Sequence, residues 1–291
     1  MVLDDYLILH GSIDKFNIWR YTFLRRCVMH LKNKEHIEKL CNEANKVFIG
    51  EALSDYPKYK YLPTWLKNKS LYLNRERCNC AKQYRVYKRG SIVYVDFGIN
   101  VGYELSGNHF AIVVNNHDNP KNGVLSVIPL SSKDKKNYLP LGPIINLSSI
   151  KHFIAESDKF SFRLKVFVLC SIHYGKVSED ALQLSSVKKA PDITTEEALV
   201  LAKKFGYEFT DNNTIKKTLN ELEETIEEHK KVFTIYQKYT KDCFAMPSNI
   251  QTISKMRIKK INKYDPSGKM KVNATIMSAL DDALLKNLTK K

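Results

Sequence analysis

Over the first 80 residues the apolar positions return at helical spacing. Phe16, Trp19, Phe23 and Cys27 form one stripe, and Ile37, Leu40, Cys41, Ala44, Val47 and Phe48 form another. The pattern predicts two helices, near 13–32 and 34–50. Pro57 and Pro63 interrupt it, a shorter helix over 64–74 follows, and the basic stretch RERCNCAKQYRVYKRG at 75–90 reads as a connector. After Gly90 the texture changes. Short β-rich runs at 91–97, 110–114 and 124–128 are separated by loops containing Gly, Asn and Asp, and 139–145 and 165–170 are further strand candidates. Short strands at this spacing predict a small antiparallel barrel rather than alternating βαβ units.

Residues 194–240 return to helix. Thr194, with Glu197 three residues on, has the form of a capping box. Ile215, Leu219, Leu222, Ile226, His229, Phe233 and Tyr236 then advance in steps of four and three. That is a coiled-coil seam of about three heptads. His229 in the seam reads as a histidine tolerated at a helix contact, and Glu221, Glu223, Glu224, Glu227 and Glu228 as the solvated face. Such a seam needs a partner helix, and the N-terminal helices are the expected one. Residues 249–258 read as a strand entering a turn, and Ala274–Leu288 as a closing helix with Ile276, Leu280, Leu284 and Leu288 on one face.

The chain has 291 residues, 43% of them hydrophobic and 27% charged, which is enough apolar matter for a core. The longest apolar run is 166–170, whereas a membrane span needs about 20 such residues. Asp4 and Asp5 stand where a signal peptide would carry cations, so a cytoplasmic protein is expected. The net charge of +16 changes the picture more. It favours polyanionic partners such as RNA, DNA or an acidic protein segment, beside the plainer reading of a solubilising lysine-rich surface. Six cysteines, Cys27, Cys41, Cys78, Cys80, Cys170 and Cys243, are scattered and read as inert thiols. Cys78 and Cys80 are close, but no second knuckle accompanies them as a zinc site would require. No phosphate-binding loop, HExxH or G-x-S-x-G motif occurs.

Four segments carry a resemblance. RGSIVYVDF at 89–97, GYELSGNHFAIVV at 102–114, VIPLSS at 127–132 and NIQTISKMRI at 249–258 occur in that order. They resemble the RGDIVxVDF, GxEQxGxRPAxVV, third-strand Pro-x-Thr-Thr/Ser and QIRTIDKxRL motifs of the MazF/PemK toxins of bacterial toxin–antitoxin systems. The resemblance covers roughly 88–150 and 243–291. It implies an α+β fold: a small SH3-like antiparallel barrel with a C-terminal helix, here with an N-terminal helical extension over 1–87. A helical hairpin or coiled-coil-like helix is inserted at about 150–242 of the barrel domain 88–291. It further implies a homodimer that inhibits growth by cutting single-stranded RNA sequence-selectively, without metal or other cofactor, to leave 2′,3′-cyclic phosphate and 5′-hydroxyl ends. An antitoxin with an acidic segment is the implied protein partner.

Carried over residue by residue, the place of the family's catalytic arginine is held by His109 and that of the following proline by Phe110. The catalytic threonine corresponds to Ser131, the loop glutamate to Glu104, the glutamine after it to Leu105, and the arginine of QIRTI to Gln251. RNA cleavage of this kind activates a 2′-hydroxyl, stabilises a dianionic phosphorane and protonates the leaving 5′-oxygen. Histidine suits the proton transfers, since its ordinary pKa lies near neutrality, but it lacks the bidentate fork of arginine. Ser131 can donate to a phosphoryl oxygen, and so can Ser132, although strand alternation would aim only one of them. Glu104 and Asn108 are either substrate contacts or loop chemistry, and Lys133 is either a phosphate contact or part of a solvated loop with Lys135 and Lys136. Two alternatives stand beside the nuclease: a non-catalytic barrel like the gyrase-binding CcdB toxins, or a module that only binds RNA. The helical additions would inhibit in cis, widen a dimer interface, bind a partner, or brace the barrel.

Overall fold

The computed structural model describes residues 34–78 and 83–290. The expected helix over 13–32, and Cys80 of the close cysteine pair, lie outside the described residues. The chain divides into two compact units, with the boundary after Leu73. In the first, α1 (Lys34–Leu53) and the start of α2 (Leu62–Cys78) are joined by a 3-10 turn at Pro57–Tyr61. Pro63 does not interrupt a helix. It is the second residue of α2, within the first turn, where a missing N–H breaks no intrahelical bond. The rings of Trp65 and Tyr72 on α2 lie 6.4 Å apart.

The second unit is built on an antiparallel sheet. Its strands are β1 (Ile92–Asp96), β2 (Asn108–Val113), β3 (Val124–Ser131), β4 (Leu139–Gly142), β5 (Cys243–Ala245), β6 (Gln251–Ser254) and β7 (Ile258–Lys259). The spatial order is β4-β5-β3-β2-β1-β7, with β6 also paired to β3. β3 is shared: Val124–Val127 pair with Ser254–Gln251 of β6, while Leu130 and Ser131 pair with Ala245 and Phe244 of β5. The segment NIQTISKMRI therefore joins the same sheet as the three earlier motifs.

The closed barrel expected from the sequence is not formed. β4 and β7 end the sheet unpaired to each other, because the terminal strands are short and irregular. β7 has two residues, and β4 has four with a register shift between Pro140 and Gly142. Pro140 lacks a ladder donor, and Pro143 directly precedes a helix, so β4 offers no further edge to close upon.

Both faces of the sheet are covered. Ile92, Phe110, Ile112, Ile128 and Leu130 pack with Val232, Tyr236 and Leu280 on one face; Val93, Val95, Phe97, Ala111, Val113, Leu125, Val127 and Ile253 fill the other. This two-sided burial explains why the strands read as apolar runs rather than strict alternation. Lys255 and Asp118 form an ion pair at 2.8 Å, with side chains 3% and 0% exposed. Asp118 also accepts from the Tyr87 amide at 2.8 Å. The pair fastens the 249–258 segment to the loop after β2.

The helices of this unit are α3 (Ile144–His173), α4 (Ser185–Lys188), α5 (Thr195–Phe205), α6 (Asn212–Tyr236) and α7 (Ala274–Leu288). Two strand expectations are corrected here. The run 165–170 is the C-terminal part of the 30-residue α3, and the run 139–145 ends as strand at Gly142. A short apolar run without breakers is shared by buried strands and buried helices; Val166 and Cys170 pack on Ala198 and Ala202 of α5. The capping box forms as expected, with Thr194 and Glu197 bonded reciprocally, and Gly206 closes α5 in the left-handed region at φ 72°. Asp211 caps α6, accepting from the amides of Asn213 and Thr214.

The seam of α6 finds a partner within its own unit, in α3. Phe153 of α3 meets Phe233 at 5.3 Å and Tyr236 at 5.9 Å, nearly edge to face. His229, expected at a helix contact, has its ring against Tyr264 of the turn-rich segment before α7, with centroids 4.0 Å apart. Among the described residues no helix is long and apolar enough to cross a membrane.

Candidate active site at the ends of β2 and β3

β1 and β2 are joined by the loop 97–107, which braces itself. Asn100 donates through Nδ2 to the carbonyls of Phe97 at 3.0 Å and Leu105 at 2.7 Å, and its amide donates to Ser106 Oγ at 2.9 Å. The Phe97 amide donates to the Gly107 carbonyl and the Gly107 amide to the Gly98 carbonyl. Gly98 and Gly107 close this ring at φ 77° and 94°, angles that a residue with a Cβ adopts only at a cost.

The loop delivers the chain to His109. β2 and β3 pair with Ala111 opposite Pro129, Ile112 opposite Ile128 and Val113 opposite Val127. The ladder ends there: beyond Pro129, β3 pairs with β5, Leu130 opposite Ala245 and Ser131 opposite Phe244. His109 reaches this end of β3 through its ring, which meets the main chain of Leu130, the residue before Ser131. Asn108 and Ser132 line one cleft.

Both ring nitrogens of His109 are engaged: Nδ1 lies 3.1 Å from the Leu130 carbonyl and Nε2 3.1 Å from the Ser106 carbonyl. The ring edge also meets Phe97 at 6.2 Å. A neutral imidazole has one N–H and can donate to one of these carbonyls; the doubly protonated ring donates to both. The Ser131 hydroxyl is turned into its own loop, accepting from the Lys133 amide at 3.0 Å and donating to the Lys133 carbonyl at 3.2 Å. Lys133 itself is exposed. Glu104 is exposed on the loop, with its amide bonded to the Val101 carbonyl at 3.2 Å, and it lines no part of the cleft described next.

That cleft has a volume of about 220 Å³. Asn108 and Ser132 line it, with Tyr94, Phe110, Leu130 and Ile145 behind them and Lys238, Tyr239, Lys241 and Cys243 along one wall. Of the two serines, Ser132 lines the cleft and Ser131 does not. Phe110 is the hub of an aromatic cluster, with ring distances of 4.8 Å to Tyr94, 4.9 Å to Tyr239 and 5.9 Å to Tyr236. Burial, then the neighbouring Tyr239, push the Tyr94 hydroxyl well above the ordinary tyrosine range. Burial also raises the Tyr236 hydroxyl, with the Asp265 carboxylate accepting its hydrogen at 2.8 Å. Lys259 reaches the same edge, 3.4 Å from both Asn108 Oδ1 and Asp96 Oδ2.

Sequence reasoning missed Lys259, Tyr94 and the Lys238–Lys241 wall as site residues. Lys259 follows the fourth motif directly, and KYTK at 238–241 interleaves cations with an aromatic ring, a signal that was present but lay outside every motif. A larger groove of about 550 Å³ between α3 and α6 is nearly all apolar and shares no residue with the cleft or the four motifs.

Residues 88–158 match the family model for the PemK-like, MazF-like toxin of type II toxin-antitoxin systems. The matched segment runs from the start of β1 to the middle of α3, and so includes His109, Ser131 and the loop before β2. No curated protein matches the chain. Over this segment the chain is similar to the PemK-like, MazF-like toxins of type II toxin–antitoxin systems.

Proposed function

We propose that the protein is a growth-inhibiting endoribonuclease that cuts single-stranded RNA sequence-selectively in the cytoplasm and is neutralised by an antitoxin with an acidic segment. The observation that supports it most is the place of His109, its ring 3.1 Å from the carbonyl of Leu130, the residue before Ser131, inside the matched family segment. In this reading residues 88–291 are a toxin domain derived from the SH3-like barrel, acting as a homodimer; 1–87 and about 150–242 are helical additions.

The chemistry follows from the hydrogen bonds. Nδ1–H of His109 stays on the Leu130 carbonyl, which fixes the tautomer and leaves the Nε2 lone pair for substrate. Nε2 exchanges the Ser106 carbonyl for a 2′-hydroxyl and takes its proton. The 2′-oxygen bonds to phosphorus, the bond from phosphorus to the 5′-oxygen breaks, and the proton goes to that leaving oxygen. The products are a 2′,3′-cyclic phosphate and a 5′-hydroxyl. Ser131 gives up its bond to the Lys133 carbonyl and donates to a phosphoryl oxygen that gains charge. Lys133 and Glu104 contact the RNA from the two loops, and Asn108 and Ser132 hold it at the strand ends. The route itself uses no metal.

A second reading has its own observation. Both His109 nitrogens and the Ser131 hydroxyl are already engaged by main-chain groups, as befits a barrel that binds a partner, in the manner of CcdB, or binds RNA without cutting it. Controlled expression in bacterial cells separates the two. Arrest of growth with RNA fragments bearing 5′-hydroxyl ends, both relieved by His109→Ala, is the expected result. Arrest that persists in His109→Ala, with intact RNA, would overturn the nuclease reading.

A further inference from the structure

The segment that leaves the inserted helix is part of the substrate site. Tyr239 follows α6 through a tight helical exit, its amide bonded to the Tyr236 carbonyl at 3.0 Å, and β5 begins at Cys243. The segment is therefore anchored at both ends. Its one aromatic ring stands edge-on to Phe110, with centroids 4.9 Å apart and planes at 86°, inside the 220 Å³ cleft. Lys238 and Lys241 flank that ring on the cleft wall and are exposed. None of these three residues lies within the segment 88–158 that matches the family.

We propose that Lys238, Tyr239 and Lys241 form a nucleotide subsite for single-stranded RNA, contributed by the insertion and adjoining the reaction centre. The inference rests on the nuclease reading for what lies next door, but its own content is binding. The cleft has room for one flat heterocycle and not for a folded element. Its walls offer ring faces and edges for stacking, the side chains of Asn108 and Ser132 for hydrogen bonds, and two cations for phosphates. β2 begins at Asn108 and β3 ends at Ser131, so the two faces of the sheet meet at this edge. Consecutive Cα atoms are about 3.8 Å apart. A strand crossing the edge would place one phosphate at His109 and Ser131 and the adjacent nucleotide in the cleft. The position given to a proline by the resemblance is here Phe110, the ring on which Tyr239 rests. The departure from the motif and the insertion thus meet at one contact. A segment that merely plugged the site by imitating RNA would line it with carboxylates; this one lines it with Lys238 and Lys241, and its Asp242 is not among the lining residues.

The test is equilibrium binding of a fluorescent 2′-O-methyl oligonucleotide pool, which has no 2′-hydroxyl to attack, to the full chain over a salt series. Cleavage of ordinary RNA is followed in parallel. The double variant Lys238→Ala/Lys241→Ala is expected to weaken binding at least tenfold and to flatten the salt slope by about 1.4, two contacts at ~0.7 each. Tyr239→Leu should weaken binding about fivefold or more, with Tyr239→Phe near wild type. Binding lost in these variants supports the subsite whether or not the wild type cleaves; a wild type that binds through them without cleaving sinks only the nuclease reading. Wild-type binding in all variants, with cleavage intact, overturns the subsite and leaves the nuclease reading standing. Tighter binding or faster cleavage in Tyr239→Leu overturns it in favour of a plug. Absence of binding by the wild type at low salt overturns it outright.

Discussion

His109 is held by two main-chain carbonyls, from the loop before its strand and from the strand beside it. It is a strut as well as a candidate base. Removing it costs the bond donated to the Leu130 carbonyl, and a lost hydrogen bond is worth about 1 kcal/mol. His109→Ala should therefore lower the melting temperature by a few degrees while remaining folded, as calorimetry would show. Ser131 is different, because its hydroxyl serves only its own turn. Ser131→Ala should leave melting nearly unchanged and slow cleavage by about a hundredfold, the usual cost of removing a transition-state donor. Equal loss in Ser131→Ala and in an exposed control variant such as Lys135→Ala would deny Ser131 that role. Both residues were legible only through the motif. Spacing alone does not bring His109 to the end of β3; the contact of its ring with the Leu130 carbonyl does. Tyr239 and Lys259 carried a signal only outside the motifs, since pairing and helix packing, not sequence proximity, bring them to the strand ends.

At the level of elements, the strands read correctly were those bounded by Gly or Asn and rich in β-branched residues. The misread run at 165–170 has the same composition but no breakers, so only its packing on α5 decides for helix. The seam of α6 was legible and its partner was not, because the periodicity of one helix does not identify the helix that meets it. Two element-scale predictions follow from burial. Asp118→Ala should destabilise the second unit by about 3–5 kcal/mol, because it strands the Lys255 charge in a site 3% exposed. Denaturant unfolding measures this, and a loss below about 1 kcal/mol would contradict it. The second concerns α3 and α6. Burial holds both His152 and His229 below the ordinary histidine range, and Nε2 of His152 is buried without a hydrogen-bond partner. Around His152 stand Glu156 and Lys159 of α3 and Lys269 of the segment before α7; around His229 stand Glu156, Glu228, Lys263 and Lys269. A folded pKa below the unfolded one means that the unfolded chain binds protons first. Stability is then full above about pH 6.5 and falls as pH drops below it. Thermal melting between about pH 7.5 and 5.5 should show the decline, and His152→Gln should flatten it.

On the scale of the whole molecule, the charge of +16 and the family segment point the same way, toward a polyanionic substrate and an acidic inhibitor. The expected closed barrel became an open sheet because β4 and β7 are too short to meet, while α6 of the insertion and the closing helix α7 cover one of its faces. That organisation could not be read from four motifs, which specify strands and not whether their ends close. The central claim is that the ends of β2 and β3 cut RNA with His109. The most direct test is incubation of the purified chain with a long, weakly structured RNA in EDTA, beside His109→Ala, with the ends of any fragments mapped. Discrete cuts leaving 5′-hydroxyl and 2′,3′-cyclic phosphate ends, absent from the variant, are predicted. Intact RNA in the wild-type reaction, or the same cuts in both, would contradict the account.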